Sequence, residues 1–181
     1  SSGSLSFNGF QAGRLGYDDA NIAGTAGAPA NSAASKVTVS GGSLTFAMGG
    51  TSPFFSIGTT TGYNGAIEVS GGNLTFSGAQ VTLGDVSGGT FTQTAGTVDL
   101  TGGNLLLANT LSSIGAYTMS GGSLFAGNIL AGAGSAEFNF LGGDIWLNGN
   151  QTSLIGNSWF IADPDFIMAD YNSGLDTTHI Y

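Results

Sequence analysis

The stretches VSGGSLTF (39–46) and VSGGNLTF (69–76) are nearly the same octet written twice. Repetition at a period of tens of residues governs a fold more strongly than any single motif. Aligned on the small-residue turn, the chain holds five copies: KVTVSGGSLTF (36–46), AIEVSGGNLTF (66–76), TFTQTAGTVDL (90–100), AYTMSGGSLFA (116–126) and EFNFLGGDIWL (137–147). Each has alternating residues, a three-residue corner, then alternating residues again. Period-two alternation marks a strand with one buried face. Before the corner the inward residues are Val37/Val39, Ile67/Val69, Phe91/Gln93, Tyr117/Met119 and Phe138/Phe140. After it they are Leu44/Phe46, Leu74/Phe76, Val98/Leu100, Leu124/Ala126 and Ile145/Leu147.

The corners carry Gly41 and Gly42, Gly71 and Gly72, Gly96, Gly121 and Gly122, and Gly142 and Gly143. The second glycine of the corner recurs at spacings of 30, 24, 26 and 21 residues, so the period is loose while the punctuation is firm. A second glycine corner follows at Gly49, Gly78, Gly102, Gly127 and Gly149, and then a third short apolar stretch: FFSIG, VTLG, LLLA, NILAG and SLIG. Its inward register is clear in the first three copies and ambiguous in the last two. Three strands and three corners describe one coil of a parallel β-solenoid, in which like positions stack about 4.8 Å apart. One coil cannot bury its own apolar face, whereas a stack of three or more can. The expected fold is therefore all-β: a single-stranded parallel β-helix of about five three-strand coils. An antiparallel sandwich with glycine-rich hairpins is the competing reading. The test between them is whether Leu44, Leu74, Val98, Leu124 and Ile145 share one internal file.

The repeats divide the chain into an N-terminal strand or cap segment (1–35), the solenoid (36–157) and a C-terminal cap or contact segment (158–181). Of 181 residues 33 are glycine and only 7% are charged, yet 41% are hydrophobic, too many for a disordered chain. Arg14 and Lys36 face eleven acidic residues, a net charge of −9, which argues against nucleic acid and anionic membrane surfaces as partners. No apolar run reaches the length of a membrane span, and SSGSLSFNGF lacks the pattern of a signal peptide. Cysteine is absent. Low charge with abundant Ser, Thr, Asn and Gly points to a bacterial protein outside the cell or on its surface.

The phrases GTFTQTAGTVDL (89–100), GAYTMSGGSLFAGNILAGAGSAEFNFLGGDIW (115–146) and VSGGNLTF resemble the Gly/Thr-rich strand repeats of large secreted bacterial surface proteins. These include autotransporter-associated repeats and repeats of PEP-CTERM-type exported proteins. The resemblance covers about residues 36–157 and implies stalk, matrix or passenger roles. The chain contains neither a translocator barrel nor the Pro-Glu-Pro motif of those proteins.

Residues for chemistry are few. His179 is the one histidine, so neither a thiol–imidazole pair nor a zinc cluster is expected. Asp163, Asp165 and Asp170 lie close in sequence but lack the order of a calcium loop. The outward positions Thr38, Glu68, Thr92, Thr118 and Asn139 form no acid–base set, and Thr90, Thr92 and Thr94 continue into no regular two-column threonine array. No cofactor, metal or catalytic residue is assigned. More telling are Phe125 and Trp146, outward on adjacent coils, with Trp159 and Phe160 just beyond. Together with Leu5, Phe7 and Phe10 they are the candidates for self-association, the N-terminal strand completing a neighbour's last coil. The expected function is an extracellular structural protein, a subunit of a fibre, surface layer or biofilm matrix that assembles with copies of itself. The alternatives are a glycan-binding adhesin using Trp146 and Tyr63 against extracellular polysaccharide, and a polysaccharide-degrading β-helix enzyme.

Overall fold

The computed structural model describes residues 4–8, 14–15, 35–47, 54–59, 61–62, 64–77, 80–148, 154, 157–162, 169–172 and 177–180. Every described element is a strand, and the two sheets they form wind as a β-solenoid. The first element, β1 (Ser4–Asn8), is followed by β2 (Arg14–Leu15). Then a long strand and a short one alternate: β3 (Ser35–Ala47), β4 (Phe54–Ile57), β5 (Gly65–Ser77), β6 (Gln80–Leu83), β7 (Gly88–Leu100), β8 (Leu105–Leu107), β9 (Ile114–Ala126), β10 (Ile129–Ala131) and β11 (Ser135–Leu147). The chain closes with β12 (Phe160–Ala162), β13 (Ala169–Asn172) and β14 (Thr177–Ile180).

Each thirteen-residue strand is the repeat seen in the sequence, bent at its glycine corner into a first and a second arm. The bend shows as a register shift, for example between Val39 and Ser43 where β3 meets β5. The short strands form the third arm. Long strands stack in the order β1-β3-β5-β7-β9-β11, and short ones in the order β2-β4-β6-β8-β10, all parallel. That makes four complete three-arm coils, β3/β4 to β9/β10, plus the two arms of β11. Parallel pairing at every step from β1 to β11 excludes the antiparallel sandwich.

The decisive file is present. Leu44, Leu74, Val98, Leu124 and Ile145 are each in register with the next, and all are buried. Beside it, Phe91, Tyr117, Phe138 and Phe160 form a stacked aromatic column, with centroid separations of 4.5, 4.8 and 5.3 Å. These follow the rung spacing because parallel in-register strands superpose identical positions. At the other end Phe46, Phe55 and Phe76 fill the core from the second and third arms, with centroids 4.7–5.1 Å apart. The third arm contributes Phe55, Val81, Leu105 and Ile129 in one file and Ile57, Leu83 and Leu107 in another.

The two glycines of a corner do different work. The second sits at positive φ in every copy, from 71° at Gly42 to 100° at Gly143, a conformation that costs an L-residue about 1–2 kcal/mol. A Cβ on Gly72 would also lie 2.5 Å from the carbonyl oxygen of Gly42 on the rung before. The first position varies from copy to copy: Ala95 stands there in β7 and a Cβ on Gly41 would meet nothing within 4 Å, whereas one on Gly71 or Gly121 would lie 2.9 or 2.5 Å from the carbonyl oxygen of Ser40 or Thr94.

Both end segments take part in the stack. β1 lies on the second arm of β3, Leu5 opposite Leu44 and Phe7 opposite Phe46, and β2 lies on β4. SSGSLSF (1–7) is in fact a further copy of SGGSLTF (40–46), with Ser2 where Gly41 stands. At the far end β12 continues the first arm of β11 in parallel, while β14 crosses its second arm antiparallel and β13 pairs with β14. Phe160 is therefore a core residue, 7% exposed, and Trp159 packs partly buried against the same core. Inward placement in the aromatic column removes Phe160 from the exposed contact set, while Trp159 meets the Phe160 ring edge-on and stays half-buried. Strand donation by residues 5–10 likewise requires β1 to leave its own coil. Phe10 lies outside the described residues.

Candidate functional site

The outer surface of the second arm is built from the residues that alternate with the internal file. Its rows run Ser43, Asn73, Thr97, Ser123, Asp144 and Thr45, Thr75, Asp99, Phe125, Trp146. The second row changes character midway, from hydroxyl and carboxylate to aromatic. Phe125 and Trp146 lie nearly parallel, 8° apart, with centroids 6.2 Å from each other, and Trp146 is 41% exposed. This is the adjacency expected from the sequence. Beyond Trp146 the antiparallel register sets His179 opposite it, and Asp170 opposite His179.

Other outward apolar residues belong to the same part of the molecule. Leu130 on β10, Leu141 at the corner of β11 and Ile161 on β12 are 39–50% exposed, and Leu111 and Ile114 project at the turn into β9. Leu141 follows Ser40, Ser70, Thr94 and Ser120 at the corner, so a hydroxyl is replaced by an isobutyl group on the last long strand. Leu130 resolves the ambiguous register of the fourth third-arm stretch: Ile129 points in and Leu130 out. Phe54, on β4, is the exposed large apolar residue outside this region among the described residues.

The polar features of the surface brace the coils. Lys36 Nζ lies 2.9 Å from Glu68 Oε2 across adjacent first arms. Asn109 donates to Asp85 Oδ1 at 2.7 Å, Thr110 donates to the Asp85 carbonyl at 2.9 Å, and Asn64 Oδ1 accepts from Ser87 and from the Gly88 amide at 3.0 and 2.8 Å. Asn128 donates to Asn104 at 3.0 Å between neighbouring coils. Asp99 accepts from both the amide and the hydroxyl of Thr101, closing its own turn. Each bond links one coil to the next or closes a turn on itself.

The interior holds one polar arrangement that sequence reading placed inward without giving it a partner. Gln93 and Tyr117 are both fully buried. The Tyr117 hydroxyl donates to Gln93 Oε1 at 2.6 Å, and Gln93 Nε2 donates to the carbonyls of Gly96 at 3.2 Å and Ser123 at 3.1 Å. Burial pushes the Tyr117 hydroxyl well above its ordinary pKa, so it stays a neutral donor. A polar residue in an otherwise apolar inward column, one rung from a Tyr in a Phe column, was the available signal.

Among the described residues no three His, Asp or Glu side chains converge to hold a metal. Asp163 and Asp165, the core of the calcium reading, and Tyr63 of the glycan reading lie outside the described residues. No family model, curated protein or solved structure matches the chain.

Proposed function

We propose that the chain is an extracellular structural protein, a subunit of a self-associating fibre, surface layer or matrix. The observation that carries this reading is the stacked, outward Phe125–Trp146 pair on the second arm of the later coils, Trp146 being 41% exposed. Aromatic residues are enriched at protein interfaces. The earlier coils present Ser, Thr and Asn at the matching places, which keeps that half of the rod solvated. A lateral contact through the later coils is favoured over end-to-end strand exchange, because β1 and β14 both pair within their own chain. Low charge suits close packing of copies.

The test is sedimentation and electron microscopy of the parent chain and of a Phe125→Thr/Trp146→Thr variant, which restores the hydroxyl row. Association should weaken by about thirtyfold or more, the scale of losing an aromatic anchor worth about 2 kcal/mol, with far-UV circular dichroism unchanged. Equal assembly by parent and variant, or a parent that stays monomeric, overturns the reading. A second reading, adhesion to glycans, draws on the same ring pair beside Asp99. Saturable binding of the monomer to a polysaccharide array, lost in the same variant, would favour it.

A further inference from the structure

Repeated coils pose a problem of address. β3 and β5 share Val, Leu and Phe at the matching inward places, so a coil that stacks on the wrong neighbour keeps its apolar residues inside. Sliding by two residues does the same, because side-chain direction repeats with period two. Hydrophobic burial therefore selects the architecture without selecting the order of coils. The Gln93–Tyr117 pair supplies what burial lacks. Gln93 stands in the column Val39, Val69, Gln93, Met119, Phe140, and Tyr117 in the column Val37, Ile67, Phe91, Tyr117, Phe138. One side chain thus ties its own corner, at Gly96, to two separate points of the next coil, at Tyr117 and Ser123. If β11 lay against β7 instead, Phe138 would replace Tyr117 and leave Gln93 Oε1 buried without a donor. A two-residue slide breaks both bonds to the next coil together, the one from Tyr117 and the one to Ser123. A buried polar group stranded in this way is costly, whereas an all-apolar column would accept either error.

We propose that Gln93 and Tyr117 form a register lock that assigns β9 to β7, specifying coil order at some expense of stability. Buried polar groups are best attested in this registry role. The inference concerns how the chain reaches one stack and stands independently of what the stack does.

Because the chain has no cysteine, paired cysteines on the outer face report stacking cleanly. Thr92 and Thr118 are register partners, so Thr92→Cys/Thr118→Cys bridges in the native stack. Glu68 and Thr118 are two rungs apart, about 9.6 Å and beyond the roughly 7 Å reach of a disulfide, so Glu68→Cys/Thr118→Cys bridges when β9 lies against β5. Thr90→Cys/Thr118→Cys bridges after a two-residue slide. Each pair is refolded under oxidising conditions in the parent and in Gln93→Val/Tyr117→Phe, and the monomeric bridges are quantified by mass spectrometry. The parent should form the 92/118 bridge alone. The double variant should melt no lower and yield 68/118 or 90/118 bridges at least about tenfold above parent background, the population change that 1.4 kcal/mol brings. Tyr117→Phe alone, which strands the amide oxygen, should fall between. The native bridge alone in every background overturns the lock. So does a double variant that fails to fold, since the pair would then be stabilising the stack rather than addressing it.

Discussion

The junction of β3 with β5 and the junction of β7 with β9 have the same backbone and different content. At the first, nearly identical octets lie in register and their inward side chains are all aliphatic or Phe. At the second, a fully buried amide and phenol hold each other and two corner carbonyls. The comparison separates two jobs that a repeat sequence must perform. Period-two alternation and a positive-φ glycine build a rung anywhere along the stack. A departure from the repeat is what makes one rung different from its neighbours.

The largest expected effect attacks what the two junctions share. Gly72→Ala forces a Cβ into a left-handed backbone and to within 2.5 Å of the preceding corner. It should cost roughly 2–4 kcal/mol in denaturant unfolding. Gly41→Ala, at the first corner position, should change stability by less than about 0.5 kcal/mol. Equal losses at Gly72 and Gly41 would mean that neither the positive φ nor the close approach of the preceding corner sets the cost.

Next comes the polar junction alone. Tyr117→Phe removes the donor and strands Gln93 Oε1, a loss of about 1–3 kcal/mol at neutral pH. Its pH dependence has a definite sign. Burial raises the Tyr117 pKa in the folded state, so above about pH 10 the unfolded chain releases a proton that the folded chain retains. The tyrosine's contribution to stability is whole below that pH and declines above it. The difference in unfolding free energy between parent and Tyr117→Phe should therefore shrink as pH climbs from 9 to 11. A constant difference would show that Tyr117 titrates alike in both states.

The smallest effect tests the polar decoration of the first coils. Lys36 and Glu68 pair at 2.9 Å with both side chains 46% exposed. Exposed pairs contribute about 0–1 kcal/mol and are screened by salt. Glu68→Gln should lower stability by no more than that at low ionic strength and be silent at 1 M salt. A larger or salt-independent loss would give the first junction a polar address of its own.

Legibility in the sequence followed the same divide. The file from Leu44 to Ile145 and the outward Phe125–Trp146 step could be read because both depend only on alternation and alignment, properties local to each copy. The partner of Gln93 could not, since it lies 24 residues away and one rung across, and inward placement alone does not say which neighbour's hydroxyl will reach it. Ser1–Phe7 escaped recognition because Ser2 obscures the glycine pair. The antiparallel β14 on β11 carries no repeat at all, so its register with Trp146 comes only from tertiary pairing. Phe160 was legible as apolar but not as inward, because a three-residue strand is too short to show alternation.

Among the described residues, each long strand hydrogen-bonds only to the rungs directly before and after it. Evolution can therefore adjust the reach of such a rod by duplicating or excising a whole turn, with no surgery elsewhere, much as a ladder is cut to length between steps. Gly65 and Gly89 occupy matching points on successive turns, so joining Asn64 directly to Gly89 would shorten the molecule by a single step and leave its hollow fully packed.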